Sequence, residues 1–302
     1  MDKNLKNIKP PTISVLMAVF NCENYISLAI DSILNQSFTD FEFIIINDGS
    51  TDKSLDIINS FTDNRIRVFN QENHGLAYSL NIGISMATGK YIARMDADDI
   101  SLPERFQIQY NYMEKNTNVD VLGGAMLYVN HSGNYLGRSF SIISTTIIKY
   151  YLLHLDNVIS HPTVLIRSSS IEKYGRYCSS LFAKEDFHLW NKFLRKGAVL
   201  RNISSALIQY RLLDSSMSSN HSFTRKNSKI FNKVLLEDNP SENLIKELLK
   251  SKSKLTTEHR NYNFDNFENK IFQILKIFIG YNLSEKIITK TKNIVLEFKY
   301  HI

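Results

Sequence analysis

"YIARMDADD", Tyr91 to Asp99, runs from an apolar segment straight into three carboxylates. No Lys or Arg stands between Asp96, Asp98 and Asp99, so their like charges repel at short range. The apolar part reads as a strand, and three more strand-like stretches precede it: "TISVLMAV" (12–19), "FEFIII" (41–46) and "RIRVFN" (65–70). Between them, "ENYISLAIDSILNQSF" (23–38) places Ile26, Ile30, Ile33 and Leu34 at helical spacing, and residues 51–61 and 75–89 read as helices as well. Apolar strands separated by helices predict an α/β fold, a mostly parallel, Rossmann-like sheet flanked by helices.

In such sheets ligands bind beyond the carboxyl ends of the strands, where strand order reverses. That rule puts Asp96, Asp98 and Asp99 on one crevice with Asn47 and Asp48 after the second strand, and Phe20 and Asn21 after the first. Capping offers a plainer account of the acids. "SLPE" (101–104) predicts a helix start with Ser101 as N-cap and Glu104 in the capping-box position. An acid near a helix start gains only about 0.3–1 kcal/mol, however, and Ser101 already fills the cap. Asp96 and Asp98 lie at alternate positions of a strand end and can converge on one hard divalent cation. Mn²⁺ and Mg²⁺ prefer oxygen ligands and also take substrate phosphates. "NDGSTDKSLDII" (47–58) is a strong turn signal in its own right. Its place on the same rim also makes Asp48 a candidate partner for a base or ribose.

The middle of the chain is less regular. "DVLGGAMLYVN" (120–130) and "HPTVLIR" (161–167) are strand candidates. "DFHLWNKFLRKG" (186–197) is a helix candidate with Phe187, Trp190, Phe193 and Leu194 on one face. After Tyr210 a serine-rich stretch reads as a linker. A catalytic domain is therefore expected over 1–215 and a mainly helical, basic extension over 216–302. The two cysteines, Cys22 and Cys178, offer neither a disulfide framework nor metal-ligand spacing, which favours a reducing cytosol. The polar, lysine-rich start lacks the apolar core of a secretory signal, and no apolar run is long enough to span a bilayer. Net charge is +6, and the residues from Ser241 onward carry 11 Lys and Arg against 7 Asp and Glu. No zinc-finger spacing or RNA-binding aromatic signature accompanies this surplus, so nucleic acid is not the expected partner.

The stretches "ISVLMAVFNCENYI", "IINDGSTDKS", "NHGLAYSLNIGISMATGKYIARMDADD" and "EDFHLW" resemble, in order, the signatures of family 2 glycosyltransferases, bacterial enzymes with the GT-A fold. The likeness is dense from Ile13 to Phe106 and looser from His161 to Arg211. It implies an inverting transferase that uses a nucleotide-sugar donor, often a UDP-sugar, with a divalent cation. By the same analogy the enzyme is cytoplasmic and serves surface polysaccharide assembly. Residue by residue, the resemblance implies that the backbone of Ala18, Val19 and Phe20 edges the base pocket, with Glu23 nearby. It implies that Asp48 meets the base, Asp96 approaches the ribose, Asp98 ligates the metal bridging the diphosphate, and Asp186 is the general base. Asp99, Glu185 and His161 are secondary candidates. Read from the residues alone, Asp186 is rather an acid at the start of its helix. Phe20 stands where many relatives have tyrosine. "YRLLDSSMS" (210–218) lacks the histidine often found there, which leaves His161 or His221 as the candidate to approach the diphosphate or metal. Arg94 receives no role on this reading.

A nucleotidyltransferase requires a glycine- and arginine-rich loop after the first strand, and a dinucleotide oxidoreductase a G-x-G-x-x-G motif. That place reads "FNCENY". A non-catalytic nucleotide-sugar-binding module of the same fold is the remaining alternative, against which Asp98 and Asp186 both argue. In the tail (269–300), Ile271, Ile274, Leu275 and Phe278 recur at helical spacing beside Lys270 and Lys276. The tail reads either as a helix packed on the catalytic domain or as a surface docking on an anionic inner leaflet. A lipid-linked glycan acceptor would be met on such a leaflet.

Overall fold

A computed structural model describes residues 9–154, 156–181, 184–213, 234–241, 243, 244 and 246. All belong to one compact unit, Met1–Lys252. A second unit, Ser253–Ile302, lies outside the described residues, and so do the 269–300 tail and His221.

The first half is parallel. Strands β1 (Ile13–Val19), β2 (Phe41–Asp48), β3 (Ile66–Gln71) and β4 (Tyr91–Asp96) lie in the order β3-β2-β1-β4. Helices α1 (Ile26–Leu34), α2 (Ser54–Asn59) and α3 (Leu76–Met86) connect them. The central strands are buried on both faces, and their side chains alternate between two cores. Leu16, Ile44, Ile46 and Ile92 pack with Ala77 and Leu80 of α3. Val15, Met17, Phe43, Ile45, Ala93 and Met95 pack with α1. Helix α1 meets them with Ile26, Ala29, Ile30 and Ile33, a single helical stripe. Burying one such large side chain contributes about 1.5–3 kcal/mol, so a polar residue at Ile30 or Ile44 would break this layer.

The second half comprises β5 (Ile100–Ser101), α4 (Arg105–Lys115), β6 (Val121–Val129), β7 (Tyr135–Arg138), α5 (Thr145–His154), β8 (Leu165–Arg167), α6 (Ser168–Tyr174), α7 (Glu185–Arg195) and β9 (Leu200–Arg211). The sheet continues from β4 through β8, β6, β9 and β5, with β7 beside β6. Strand β8 runs antiparallel to both β4 and β6, so the nine-stranded sheet is mixed beyond β4. Helix α7 buries Phe187, Leu189, Trp190 and Phe193 among residues of α5 and α6. Val234 and Leu235 enter the same core. There His188 donates to the Glu237 carbonyl at 2.8 Å, and Asp238 pairs with Lys196 at 2.7 Å.

Two local expectations change, and one strand was not expected. Ser101 does not cap a helix: it sits in β5, paired with Ile208, and its hydroxyl accepts from Gln36 at 3.1 Å. Helix α4 starts only at Arg105 and has no side-chain cap. The partner strand β9 is 99 or more residues away in sequence, so local signals favoured the cap. "HPTVLIR" divides into a 3-10 turn at His161–Thr163 and the short β8. The serines of "RNISSALIQYR" hide the 12-residue strand β9, which no periodicity predicted. Among the described residues no helix is long and apolar enough to cross a membrane.

Candidate active site

Strand order reverses at β1, with β2 on one side and β4 on the other. Ala18 lies beside Asp96 across the β1–β4 pairing, and Val19 beside Asn47 across β1–β2. The carboxyl ends of these three strands frame one crevice, as expected for a switch point.

Two loops form one rim. Asn21 adopts a left-handed φ of +50°. Its amide donates to Ser50 Oγ (3.1 Å) and its side-chain oxygen accepts from the Thr51 amide (2.8 Å). The Cys22 amide donates to Ser54 Oγ at 2.8 Å, and Glu23 Oε2 accepts from the Lys53 amide at 2.9 Å. Glu23 therefore satisfies a free amide at the start of α2 while lying on the exposed rim. Phe20 projects beside it, 49% exposed.

Asp48 is buried. Its Oδ1 accepts from Gln71 Nε2 (2.7 Å) and the His74 amide (2.9 Å), and its Oδ2 from the Gly75 amide (2.9 Å). The carboxylate thereby ties the loop before α3 to the end of β2. Gly49 is required by this approach: its φ is +73°, and a Cβ there would lie 2.7 Å from the Asn73 amide nitrogen.

The opening acids converge. Asp96, Asp98 and Asp99 each place one oxygen within 4.8 Å of the others. Burial first, then Asp96, pushes Asp98 up to about 6. The deeper Asp99 is raised well above the usual carboxylate range by burial, Asp96 and Asp98. Asp99 Oδ1 accepts from the Arg211 amide at 2.9 Å, while its Oδ2 is buried with no hydrogen-bond partner. Arg211 braces the same turn, its Nε donating to the Asp98 carbonyl at 3.0 Å and its Nη1 to the carbonyls of Asn130 and His131. An all-oxygen donor set with one unsatisfied buried oxygen fits a hard divalent cation.

The other wall is the start of α7. Lys184 precedes it at φ +65°, which turns Glu185 and Asp186 inward as the first helical residues. Half-buried Asp186 accepts from Asn157 Nδ2 at 2.6 Å. Buried Glu185 lies 3.9 Å from His161 Nδ1, and His161 Nε2 bonds the Tyr177 hydroxyl at 2.8 Å. Burial, then Asp186, lifts Glu185 to about 7, and burial also raises Asp186. His161 is held well below its usual range by burial and by Arg94. It is neutral and packed inside the wall rather than open to the crevice. Arg94, given no role from sequence, is buried and forms an ion pair with Asp96. Its alternate spacing from Asp96 on β4 was the available signal. Asn157 and Tyr177 carried none.

An α/β sheet with a carboxylate cluster at its switch point and a second acid pair nearby has the form of a ligand-binding crevice lined by acids. The profile of glycosyl transferase family 2 matches residues 14–175, and the chain belongs to that family. The O-antigen biosynthesis glycosyltransferase WbnJ of Escherichia coli is 35% identical over 209 residues, covering 68% of this chain and 81% of WbnJ. The uncharacterized glycosyltransferase MJ1057 of Methanocaldococcus jannaschii is 32% identical over 209 residues, 67% of this chain and 71% of its own. Among solved structures, S. aureus TarS 1–349 in complex with UDP-GlcNAc aligns with TM-score 0.60 at 19% identity, over 80% of this chain and 71% of that one. The mannosyltransferase PcManGT of Pyrobaculum calidifontis, solved with GDP-Man and Mn²⁺, aligns with TM-score 0.54 at 13% identity, over 81% and 70%. Both likenesses confirm the GT-A type of fold. The protein is a glycosyltransferase.

Proposed function

We propose that this glycosyltransferase moves a sugar, with inversion, from a UDP-sugar to an acceptor hydroxyl of a surface polysaccharide or its lipid-linked precursor. The convergence of Asp96, Asp98 and Asp99 at the switch point carries this reading. The complexes of TarS with UDP-GlcNAc and the O-antigen role of WbnJ favour a UDP-sugar and a glycan acceptor. The base rests on the Ala18–Phe20 edge. Asp48 holds the loop before α3 and offers the second lone pair of its Oδ2 to the base. Asp96 would face the ribose, and Asp98, with Asp99 beside it, would hold Mn²⁺ or Mg²⁺. When bound, that cation supplies Lewis-acid stabilisation of charge on the departing diphosphate.

Asp186 takes the proton of the acceptor hydroxyl as its oxygen attacks the anomeric carbon. The carbon–oxygen bond to the diphosphate breaks in the same displacement, so no enzyme nucleophile is needed. A positioned general base contributes ~10²–10⁴-fold. Raised pKa values at Glu185 and Asp186 suit that task, because a base works best with a pKa near the working pH. The deciding experiment offers UDP-, GDP- and dTDP-sugars to the purified protein, with Mn²⁺ or EDTA, and follows slow donor hydrolysis. The anomer released, read by NMR, reports inversion. No turnover of any donor with Mn²⁺ present would favour the non-catalytic binding module.

A further inference from the structure

We propose that Arg94 is a positioning residue that couples the donor side of the crevice to the base side, an inference that rests on the transferase reading above. Arg94 and Asp96 lie two residues apart on β4 and so face the same side of the sheet. Both terminal nitrogens of Arg94 pair with the two oxygens of Asp96. A planar fork of this kind fixes the plane of the carboxylate as well as its charge. The Arg94 side chain is 5% exposed and that of Asp96 27%, so the cation sits inside and the anion at the rim.

Behind Arg94 lies the base wall. Glu185 and Asp186 of α7, His161 of the 3-10 turn and Tyr177 after α6 all interact with Arg94 electrostatically, and His161 joins Glu185 at 3.9 Å and the Tyr177 hydroxyl at 2.8 Å. Lys184 also acts on Asp186, but it is partly exposed and pairs with Asp156 at 3.3 Å. His161 and Tyr177 are both neutral, the imidazole lowered and the phenol raised by burial. Arg94 is thus a buried cation common to both sides. Its charge favours the ionised forms of Glu185 and Asp186. Its Nε is buried without a partner, so the group is held by Asp96 and by charge, not by a full set of hydrogen bonds. A change at Asp96 is therefore felt at Arg94, and through it at the acid pair.

A merely structural arginine would affect stability and leave affinity and pH profile alone. The test compares wild type, Arg94→Met and Arg94→Lys as full chains. UDP affinity is measured by calorimetry, and kcat against pH is measured with the nucleotide sugar that wild type turns over. Arg94→Met should bind UDP at least fivefold more weakly. It should also move the acid limb of kcat upward by at least half a pH unit, because losing the cation raises the pKa of the base. Arg94→Lys keeps the charge and loses the fork, so it should restore the limb and not the affinity. Wild-type affinity and limb in Arg94→Met would overturn the inference. Should Arg94→Met not fold, Arg94→Lys and Asp96→Asn are combined instead. Non-additive losses of UDP affinity, threefold or more from the product of the singles, support the coupling, and additive ones overturn it. A wild type that binds UDP and turns over no nucleotide sugar would sink the transferase reading, and the UDP affinity of Arg94→Met would still decide this inference.

Discussion

Gly49→Ala should cost this protein far more than a methyl group at an exposed turn. The residue follows Asp48 at the end of β2 with φ +73°, and an added Cβ meets the Asn73 amide nitrogen at 2.7 Å. Two costs add. The left-handed conformation costs an L-residue about 1–2 kcal/mol. The clash is with backbone, so the loop at 72–75 must retreat, and its His74 and Gly75 amides loosen from Asp48. Hydrogen bonds to a charged group contribute about 1.5–3 kcal/mol each, and partial loss of two adds a similar sum. The total is about 2–4 kcal/mol, a fall in Tm of roughly 4–16 °C for a domain of this size. Gly133 is the internal control. Its φ is +85°, yet nothing lies within 4 Å of a Cβ there. Gly133→Ala therefore bears the backbone strain alone, about 1–2 kcal/mol. Thermal melts of both variants, with UDP titrations by calorimetry, separate the two costs. UDP affinity should fall in Gly49→Ala and hold in Gly133→Ala. Equal Tm shifts and equal UDP affinities would refute the packing of the 47–49 turn against the loop before α3.

Asp98→Asn should leave the fold intact and reduce Mn²⁺-dependent donor turnover at least a hundredfold; near-normal rates would remove Asp98 from the metal site. Asp186→Asn should lower kcat by ~10²–10⁴-fold with donor affinity within about threefold, as expected for a group that acts in the chemical step. Loss of donor binding with residual transfer intact would make it a structural residue. Glu185 has its pKa raised from 4.5 to about 7 in the folded state, so its ionisation opposes folding increasingly as pH climbs across that window. Denaturant melts should therefore show Glu185→Gln gaining on wild type between those pH values and levelling off above. A flat difference would mean that Glu185 is not buried as an acid.

What was legible in the sequence was local. The apolar runs of β1, β2 and β4 announce strands buried on both faces, and "NDG" announces the turn that Gly49 makes. The crevice was legible too, because one topological rule places the carboxyl ends of β1, β2 and β4 on it. The acid cluster followed, since Asp96, Asp98 and Asp99 lie within four residues. What failed was long-range. Ser101 has the local chemistry of a cap, but pairing with Ile208 claims it for β5. Asp48 reads as a rim acid, yet it is buried by donors 23–27 residues onward. His161 stood as a secondary candidate to approach the diphosphate or metal, and only the fold reveals Tyr177 and Glu185 around it. Arg94 and Asp96 stand two apart in the quoted stretch, but their pairing acquires meaning only once the fold brings the acids of α7 within reach of the Arg94 charge.

The three aspartates do not stand alone in the folded protein, and this bears on what a metal does there. Arg94 pairs with Asp96, and Arg211 braces Asp98 and Asp99. Arg105 is fully buried near them, donating to the Arg94 carbonyl at 2.7 Å. Burial and Arg94 lower its pKa to about 9, which leaves it charged at neutral pH. These guanidinium groups thus already offset part of the charge of the three carboxylates. The large uncompensated charge appears when a nucleoside diphosphate enters. Mn²⁺ alone should therefore stabilise the fold little, UDP with EDTA should also do little, and the two together should exceed the sum of their separate shifts. At a hundredfold excess over Kd the joint gain would be about 2.7 kcal/mol, a Tm rise of about 5–11 °C. Melts in EDTA, Mn²⁺, UDP with EDTA, and Mn²⁺ with UDP measure each term. If Mn²⁺ alone gives the whole shift, the acid cluster is a preformed ion site that the arginines do not balance. If UDP in EDTA gives it, the cation has no part in donor binding.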